Sequence, residues 1–311
     1  MISTGWNDPA TLEGRPARPA SGHDMLMAVY GPSFAINAAL ETARTDSRIT
    51  LRAVGGPGAP PSHSFAAFQA DVPLRKADVV VFGVLSSAVG QIGSMSGLIW
   101  LFENPAPYTF PRYRVRDGRL DEEVPLIRSE AEFREAFQRQ PARWAEFRQQ
   151  LARSDKGYDW FTFEESSLDA SSVVRLIRRG WVAHRQSYDQ GVYDPMSGLN
   201  PQAEEVEALK LMIAELRRQT CARGERLVVL LLHTLRQSDH LFRALEPTLK
   251  AQQVEFISTH ALFSANDARN FVADGHYTAQ ANALLADALR RTVRDGQAPS
   301  GCAPPAPAVR P

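Results

Sequence analysis

The stretch MLMAVYGPSFAIN, residues 25–37, joins a strand pattern to a helix pattern at a single serine. Its first six residues form an apolar run typical of a strand buried on both faces. Gly31 and Pro32 interrupt the run, and apolar residues recur at helical spacing from Phe34 onward. Ser33 therefore lies at the carboxyl end of a strand and at the start of a helix. Its hydroxyl fits two roles, a helix N-cap or a nucleophile held on a sharp turn.

The same alternation of strand and helix patterns continues along the chain. Further strand patterns are ITLRAV (49–54), DVVVFG (78–83), RLVVLLLH (226–233) and VEFIST (254–259). Helical patterns separate them, the most regular being residues 201–224, with acids early and bases late. Continuous apolar strands separated by helices predict a parallel sheet covered on both faces. We therefore expect an α/β fold, a three-layer α/β/α sandwich with a flavodoxin-like parallel sheet.

The composition of the chain predicts one domain with loose ends. Residues 1–24 are rich in Pro, Gly, Ser and Asp and predict a disordered lead-in, and residues 297–311 form a Pro-rich tail. Residues 25–296 form the single α/β domain. Between about 103 and 200 no further buried strand pattern occurs, so we predict a mainly helical insertion between sheet strands, a lid or a cap.

The insertion is rich in aromatic residues and arginines, and each group fits two interpretations. The aromatic rings form either the core of the lid or a surface on which sugar rings stack. Arg175, Arg178 and Arg179 form either a solvated helix face or a site for an anionic polysaccharide. The aromatic residues concerned are Tyr108, Phe110, Tyr113, Trp144, Phe147, Tyr158, Trp160 and Trp181.

Charge and hydropathy exclude some classes of partner. Lysine plus arginine and aspartate plus glutamate number 35 each, so nucleic acid and anionic membranes are poor main partners. The uncharged run 79–102 is long enough to span a bilayer, but its glycines, serines and glutamine predict a strand, a loop and a short helix instead. The first residues lack a signal-peptide pattern. We therefore expect a cytoplasmic protein from this chain alone, or a periplasmic one where a signal or anchor was removed, in an oligomeric state that the sequence does not indicate.

Cysteine, metal and nucleotide signals are weak. Cys221 and Cys302 are the two cysteines, and a disulfide between them is one option that leaves the redox compartment open. No His, Cys, Asp or Glu residues have metal-ligand spacing. The segment VGGPGAP (54–60) follows a strand but lacks the P-loop lysine and the dinucleotide-binding order of glycines. We predict no metal and no cofactor.

An acid and a histidine stand two residues apart in front of the last helical pattern. Asp274-Gly275-His276 leads into the helical pattern HYTAQANALLADALRRTV, residues 276–293. An aspartate beside an imidazole can orient the ring and stabilise its charged form, and Ser33 would complete a Ser-His-Asp unit. The alternative for Asp274 is a helix cap or turn residue. The free N–H groups at the start of the first helix could bind an oxyanion.

These short motifs resemble the SGNH (GDSL-type) hydrolase superfamily over about residues 25–100 and 200–294. Gly31-Pro32-Ser33-Phe34 corresponds to the Gly-Asp-Ser-Leu block. The glycine of the second block corresponds to Gly55 or Gly56, and we prefer Gly56. Asp274 and His276 correspond to the last block, with the one-residue gap found in relatives that acetylate exopolysaccharides.

The third block departs from the family pattern. Gly83 is present, but Leu85 stands where the family has the asparagine that donates to the oxyanion. Removal of one such donor typically costs about two to three orders of magnitude in rate. Ser86, Ser87 or Gln91 could donate in its place.

The resemblance implies a serine esterase or O-acyltransferase that acts on acyl esters of a carbohydrate, with acetyl as the expected group, or on a small ester. Ser33 would be the nucleophile, His276 the base and then the acid, and Asp274 the orienting acid. The N–H groups of Ser33 and Gly56 would bind the oxyanion. One alternative is a weakly active or inactive carbohydrate-binding scaffold protein in polysaccharide assembly, and another is a lipase or thioesterase.

Two further histidines follow strands. His63 comes soon after the second strand and either binds substrate or makes a local hydrogen bond at a helix start. His233 follows the strand at 226–232, so it lies near the end of the sheet that carries Ser33 and is a candidate pocket residue.

Overall fold

The computed structural model describes residues 14–55, 59–96, 109–164, 166–188, 191–194 and 196–296. Its strands are β1 (Met25–Tyr30), β2 (Ile49–Val54), β3 (Val79–Leu85), β4 (Arg112–Arg116), β5 (Arg119–Glu123), β6 (Tyr193–Asp194), β7 (Gly198–Leu199), β8 (Arg226–Leu232) and β9 (Glu255–Ser258). Its α-helices are α1 (Ser33–Thr45), α2 (Pro61–Asp71), α3 (Glu130–Arg139), α4 (Pro141–Ser154), α5 (Trp160–Phe163), α6 (Ser172–Tyr188), α7 (Glu204–Arg223), α8 (His240–Ala251) and α9 (Ala279–Asp295).

Five strands form the central sheet, in the order β2-β1-β3-β8-β9, and every neighbouring pair is parallel. Tyr30 at the end of β1 is level with Val54 of β2 and with Phe82 of β3. Leu85 at the end of β3 is level with Leu232 of β8. The carboxyl ends of the strands therefore meet at one edge of the sheet, where the loops after β1, β3 and β8 leave it.

Helices cover both faces of the sheet. On one face α1 and α9 pack against β1, β3 and β8, and small residues such as Ala35, Ala38 and Ala39 line the contact. On the other face α2, α7 and α8 bury apolar side chains that include Phe68, Met212 and Leu245. This arrangement confirms the predicted three-layer α/β/α sandwich with a parallel sheet.

The second half of the lead-in corrects a prediction. The backbone N–H of Ala20 donates to Oγ1 of Thr50 at 2.8 Å, and Arg52 donates to the carbonyl of Pro16 at 3.2 Å. The buried Arg52 guanidinium, paired with Asp71 at 2.9 Å, needs further acceptors, and the lead-in supplies one. Residues 14–24 are therefore bound to the sheet instead of disordered, whereas residues 1–13 and 297–311 lie outside the described residues.

The insertion contains helices α3 to α6, but it also contains strands that we did not predict. β4 and β5 form an antiparallel hairpin, and β6 pairs with β7. The hairpin turns at Asp117 and Gly118, whose φ angles are 51° and 68°. Two positive φ angles at an Asp-Gly pair are typical of a tight hairpin turn, so the sequence did carry a signal for it.

The aromatic residues of the insertion divide between a core and a surface. Met95, Ile127, Phe133, Ala136, Phe147, Leu151 and Phe163 form a buried cluster of their own, and Trp144 packs against it. Trp160 and Trp181 are exposed. Tyr108 lies outside the described residues. Within the residues that the structure describes, no helix is long and apolar enough to cross a membrane.

Candidate active site at the carboxyl edge of the sheet

Ser33 is the first residue of α1, and its position excludes the capping role. The N-cap is Pro32, which makes no side-chain hydrogen bond to the helix. The backbone N–H of Gly31 donates to the carbonyl of Val54 at 3.2 Å and fixes the turn between β1 and α1. The Ser33 hydroxyl lies 2.7 Å from Nε2 of His276, which is 243 residues away in the chain.

The three residues predicted from the sequence lie in hydrogen-bond contact. Nδ1 of His276 is 3.1 Å from Oδ1 of Asp274, and the same oxygen accepts the backbone N–H of His276 at 3.0 Å. These two hydrogen bonds lower the pKa of the Asp274 carboxyl. An ionised carboxylate at Nδ1 fixes the tautomer that leaves Nε2 as an acceptor for the Ser33 hydroxyl. The His276 side chain is 34% exposed and that of Asp274 is 70% exposed, so the group opens to solvent.

The backbone of the Asp-Gly-His loop is held on both sides. The N–H of Val272 donates to the carbonyl of His276 at 2.8 Å, and Thr278 caps α9 directly after the loop. Gly275 has a φ of 87°, a backbone conformation that residues with a side chain rarely adopt. The turn at Gly275 therefore brings the Asp274 carboxylate to both the backbone N–H and Nδ1 of His276.

Phe34 is a site residue that the sequence did not indicate. Its ring stacks on the His276 imidazole, with centroids 4.7 Å apart and planes at 19°. It also contacts the ring of Tyr277 edge to face at 4.8 Å. Because Phe34 follows Ser33 directly, one helix end supplies the hydroxyl and the aromatic surface that orients the imidazole.

His233 contacts Tyr277, the residue that directly follows the Asp-Gly-His loop. The Tyr277 hydroxyl donates to the carbonyl of His233 at 2.7 Å, and the His233 ring bonds to Thr259 through Nδ1 at 2.8 Å. Its ring also contacts those of Phe263, Phe271 and Tyr277. Burial, aided by the nearby His260, lowers the pKa of His233 to about 4. His233 is therefore neutral at neutral pH, and its contacts make it a packing partner of Tyr277.

The segment that follows β2 is one side of the expected oxyanion site. Gly56 lies outside the described residues. Its neighbour Gly55 is buried, and a Cβ there would overlap the carbonyl oxygen of Gly31, so only glycine allows this approach. Gly55 therefore lies directly against the turn that carries Ser33.

On the other side, Leu85 ends β3, where the family resemblance leads us to expect an asparagine. Ser86 is buried and Ser87 is exposed. The Ser86 hydroxyl donates to Oε1 of Gln237 and accepts the backbone N–H of Thr234 at 3.3 Å. Gln91 lies in the 3₁₀ segment Ser86–Gly93, and its Oε1 is buried without a hydrogen-bond partner.

His63 lies in a packed contact instead of an open surface. It is the third residue of α2, is almost fully buried, and meets the ring of Phe110 edge to face at 5.6 Å. Its position thus joins α2 to the insertion.

Neither a search for metal ligands nor the comparison with known proteins assigns a function to the site. Among the described residues, no three His, Cys, Asp or Glu side chains are grouped so that they could hold a metal ion. Cys302 lies outside the described residues. No protein-family model matches the chain, and no curated protein matches it.

Proposed function

We propose that the protein is a serine esterase or O-acyltransferase that uses Ser33, His276 and Asp274. The observation that carries the proposal is the pair of contacts at His276, 2.7 Å from Nε2 to the Ser33 hydroxyl and 3.1 Å from Nδ1 to Asp274. This is the geometry in which an imidazole can take a proton from a nucleophile while a carboxylate stabilises the resulting charge.

The proposed reaction has two steps. Oγ of Ser33 attacks the ester carbonyl carbon as Nε2 of His276 takes the hydroxyl proton, and the alcohol leaves with that proton. Water or a carbohydrate hydroxyl then attacks the acyl-Ser33 carbonyl, with His276 again as base. The acyl group leaves as an acid or as a new ester, and Ser33 recovers its proton.

The start of α1 supplies one donor for the tetrahedral oxyanion. The N–H of Ser33 is at the first position of the helix, where backbone N–H groups lack an intrahelical acceptor. The family resemblance suggests Gly56 as the second donor. The same resemblance and the one-residue gap between Asp274 and His276 favour the acetyl ester of a carbohydrate as substrate.

The test is hydrolysis of p-nitrophenyl acetate by the wild type and by Ser33→Ala. We expect the variant to lose at least about three orders of magnitude in kcat/KM, because the covalent step requires the hydroxyl. Ser171→Ala, at an exposed serine in the insertion, is the matched control and should keep the wild-type rate. Equal rates for wild type and Ser33→Ala would overturn the proposal.

Two measurements separate the alternatives. A marked preference for p-nitrophenyl octanoate over the acetate would favour a lipase or thioesterase. Leu85 in place of a donor favours a carbohydrate-binding scaffold protein. In that case acetylated oligosaccharides would bind to the wild type and to Ser33→Ala equally, with no turnover by either.

A further inference from the structure

We infer that the side-chain amide of Gln237 donates to the oxyanion in place of the asparagine that Leu85 replaces. The inference rests on the proposed function, since it names a further group for the same reaction. The side chain of Leu85 offers no donor, and Leu85 is level with the last residue of β8. Adjacent strands are about 4.8 Å apart, so the loop after β8 begins one strand from the loop after β3 and two from Ser33.

Ser86 is not free to donate. A serine hydroxyl has one proton, and in Ser86 that proton is directed to Oε1 of Gln237. The Ser86 hydroxyl oxygen in turn accepts the backbone N–H of Thr234 at 3.3 Å. Ser86 is therefore a positioning residue, which holds the carbonyl end of the Gln237 side chain.

Gln237 keeps its donor end available. With Oε1 occupied by Ser86, the Nε2 group has two N–H bonds, and it donates no hydrogen bond within the described part of the chain. The side chain is only half-buried, so it borders solvent at the carboxyl edge. A carboxamide is the chemical group that the family uses at this site, and here it would come from the neighbouring strand with one extra methylene.

The loop that carries Gln237 is built against local backbone preference. Arg236 and Ser238, on either side of Gln237, have φ angles of 69° and 43°. Such conformations in residues other than glycine are uncommon and concentrate at functional sites. The N–H of Arg236 donates to the carbonyl of Ala265 at 2.9 Å, and that of Gln237 to the carbonyl of Thr234 at 3.1 Å.

The same loop is tied to the catalytic histidine. Its first residue, His233, accepts the hydroxyl of Tyr277, the residue directly after His276, at 2.7 Å. The loop after β8 and the Asp-Gly-His loop are therefore fixed relative to each other. This contact anchors the first residue of the loop that carries Gln237 to the residue that follows His276.

The test measures kcat and KM for p-nitrophenyl acetate in Gln237→Ala and Gln237→Met. Both remove the donor, and methionine keeps the length of the side chain, so it covers the case in which alanine fails to fold. We expect kcat to fall by about 10²–10³, with KM changed little, because the donor acts in the transition state. Affinity for a trifluoromethyl ketone, which forms an oxyanion on Ser33, should fall by a similar factor.

Leu235→Ala is the control in the same loop, at an exposed side chain, and should keep the wild-type kcat. Ser86→Ala should lose less than the Gln237 variants, because it frees the amide without removing it. A kcat within about twofold of wild type in folded Gln237→Met would overturn the inference, as would a loss confined to KM. If Gln237→Met gave either of these results and Ser33→Ala were inactive, the inference about Gln237 would fail and the proposed function would hold. If Ser33→Ala were active, the proposed function itself would fail.

Discussion

The carboxyl edge of the sheet and the core of the insertion are both built around aromatic rings, but the rings have different neighbours. At the edge, Phe34 stacks on His276, and Tyr277 contacts the ring of His233. In the insertion, rings pack mainly on one another, as Trp144 does on Phe147 at 5.6 Å. The comparison indicates that rings at the edge orient titratable groups, whereas rings in the insertion supply apolar burial. Substitutions at the carboxyl edge should therefore change the pH dependence of stability or the kinetics, whereas substitution of a buried ring in the insertion should change the free energy of unfolding.

The largest expected effect on stability is in the insertion. Phe147 is 1% exposed and lies in the cluster that belongs to the insertion. Phe147→Ala should lower the free energy of unfolding by about 3–5 kcal/mol, because it removes a buried ring and leaves a cavity. Hydrolysis of p-nitrophenyl acetate by the remaining folded protein should stay near the wild-type rate. Denaturant unfolding followed by circular dichroism measures the first effect, and an ester assay the second.

Phe137→Ala is the matched control for this prediction. Phe137 stacks on Phe133 but is 45% exposed, so its loss should cost less than about 1 kcal/mol. If Phe147→Ala remained stable and instead lost kcat, the rings of the insertion would act on the chemistry, and the comparison would fail.

The next effect concerns pH and is located at the edge. Burial lowers the pKa of His233 from 6.5 to about 4. Between these two values the unfolded chain binds a proton that the folded chain does not, so stability falls as pH falls from 6.5 toward 4. The loss is up to about 3 kcal/mol by pH 4, and no more follows below it. Urea unfolding between pH 7 and pH 4 should show this slope in the wild type and not in His233→Gln.

The buried carboxyl of Asp155, in the insertion, should change stability with pH in the opposite direction. Asp155 is buried, and this burial raises its pKa, although it accepts the N–H groups of Ser96 and Gly157. A raised carboxyl pKa costs stability while the group is ionised, and acid relieves that cost. Asp155→Asn should therefore steepen the loss of stability on acidification. Identical pH profiles for wild type, His233→Gln and Asp155→Asn would contradict both assignments.

The sequence predicted the parts of the site that depend on local pattern. Ser33 follows a strand and precedes a helix, and Asp274-Gly275-His276 precedes the last helix; both placements are visible in short windows. The sequence did not indicate Gln237, the proposed oxyanion donor, because its hydrogen-bond partner Ser86 is 151 residues away in the chain. No local sequence pattern predicts a contact between residues so far apart. Phe34 was missed for the same reason, since its contact with His276 requires the folded sheet. The Asp-Gly turn of the hairpin at residues 112–123 did not by itself indicate two strands, because each strand has five residues and helical stretches dominate the insertion.

The smallest effect tests how far the edge depends on its exposed acid. Asp274→Asn should lower kcat/KM for p-nitrophenyl acetate by about 10², because an amide at this place no longer stabilises the charged imidazole. The loss should be below the about 10⁴ known for a buried orienting aspartate, since the Asp274 side chain is 70% exposed and water can replace part of its effect. Asp267→Asn, at an aspartate paired with exposed Arg269, is the matched control and should leave the rate unchanged. A loss for Asp274→Asn as large as that of Ser33→Ala would mean that the aspartate fixes the position of the imidazole, and that stacking on Phe34 alone does not hold the ring in place.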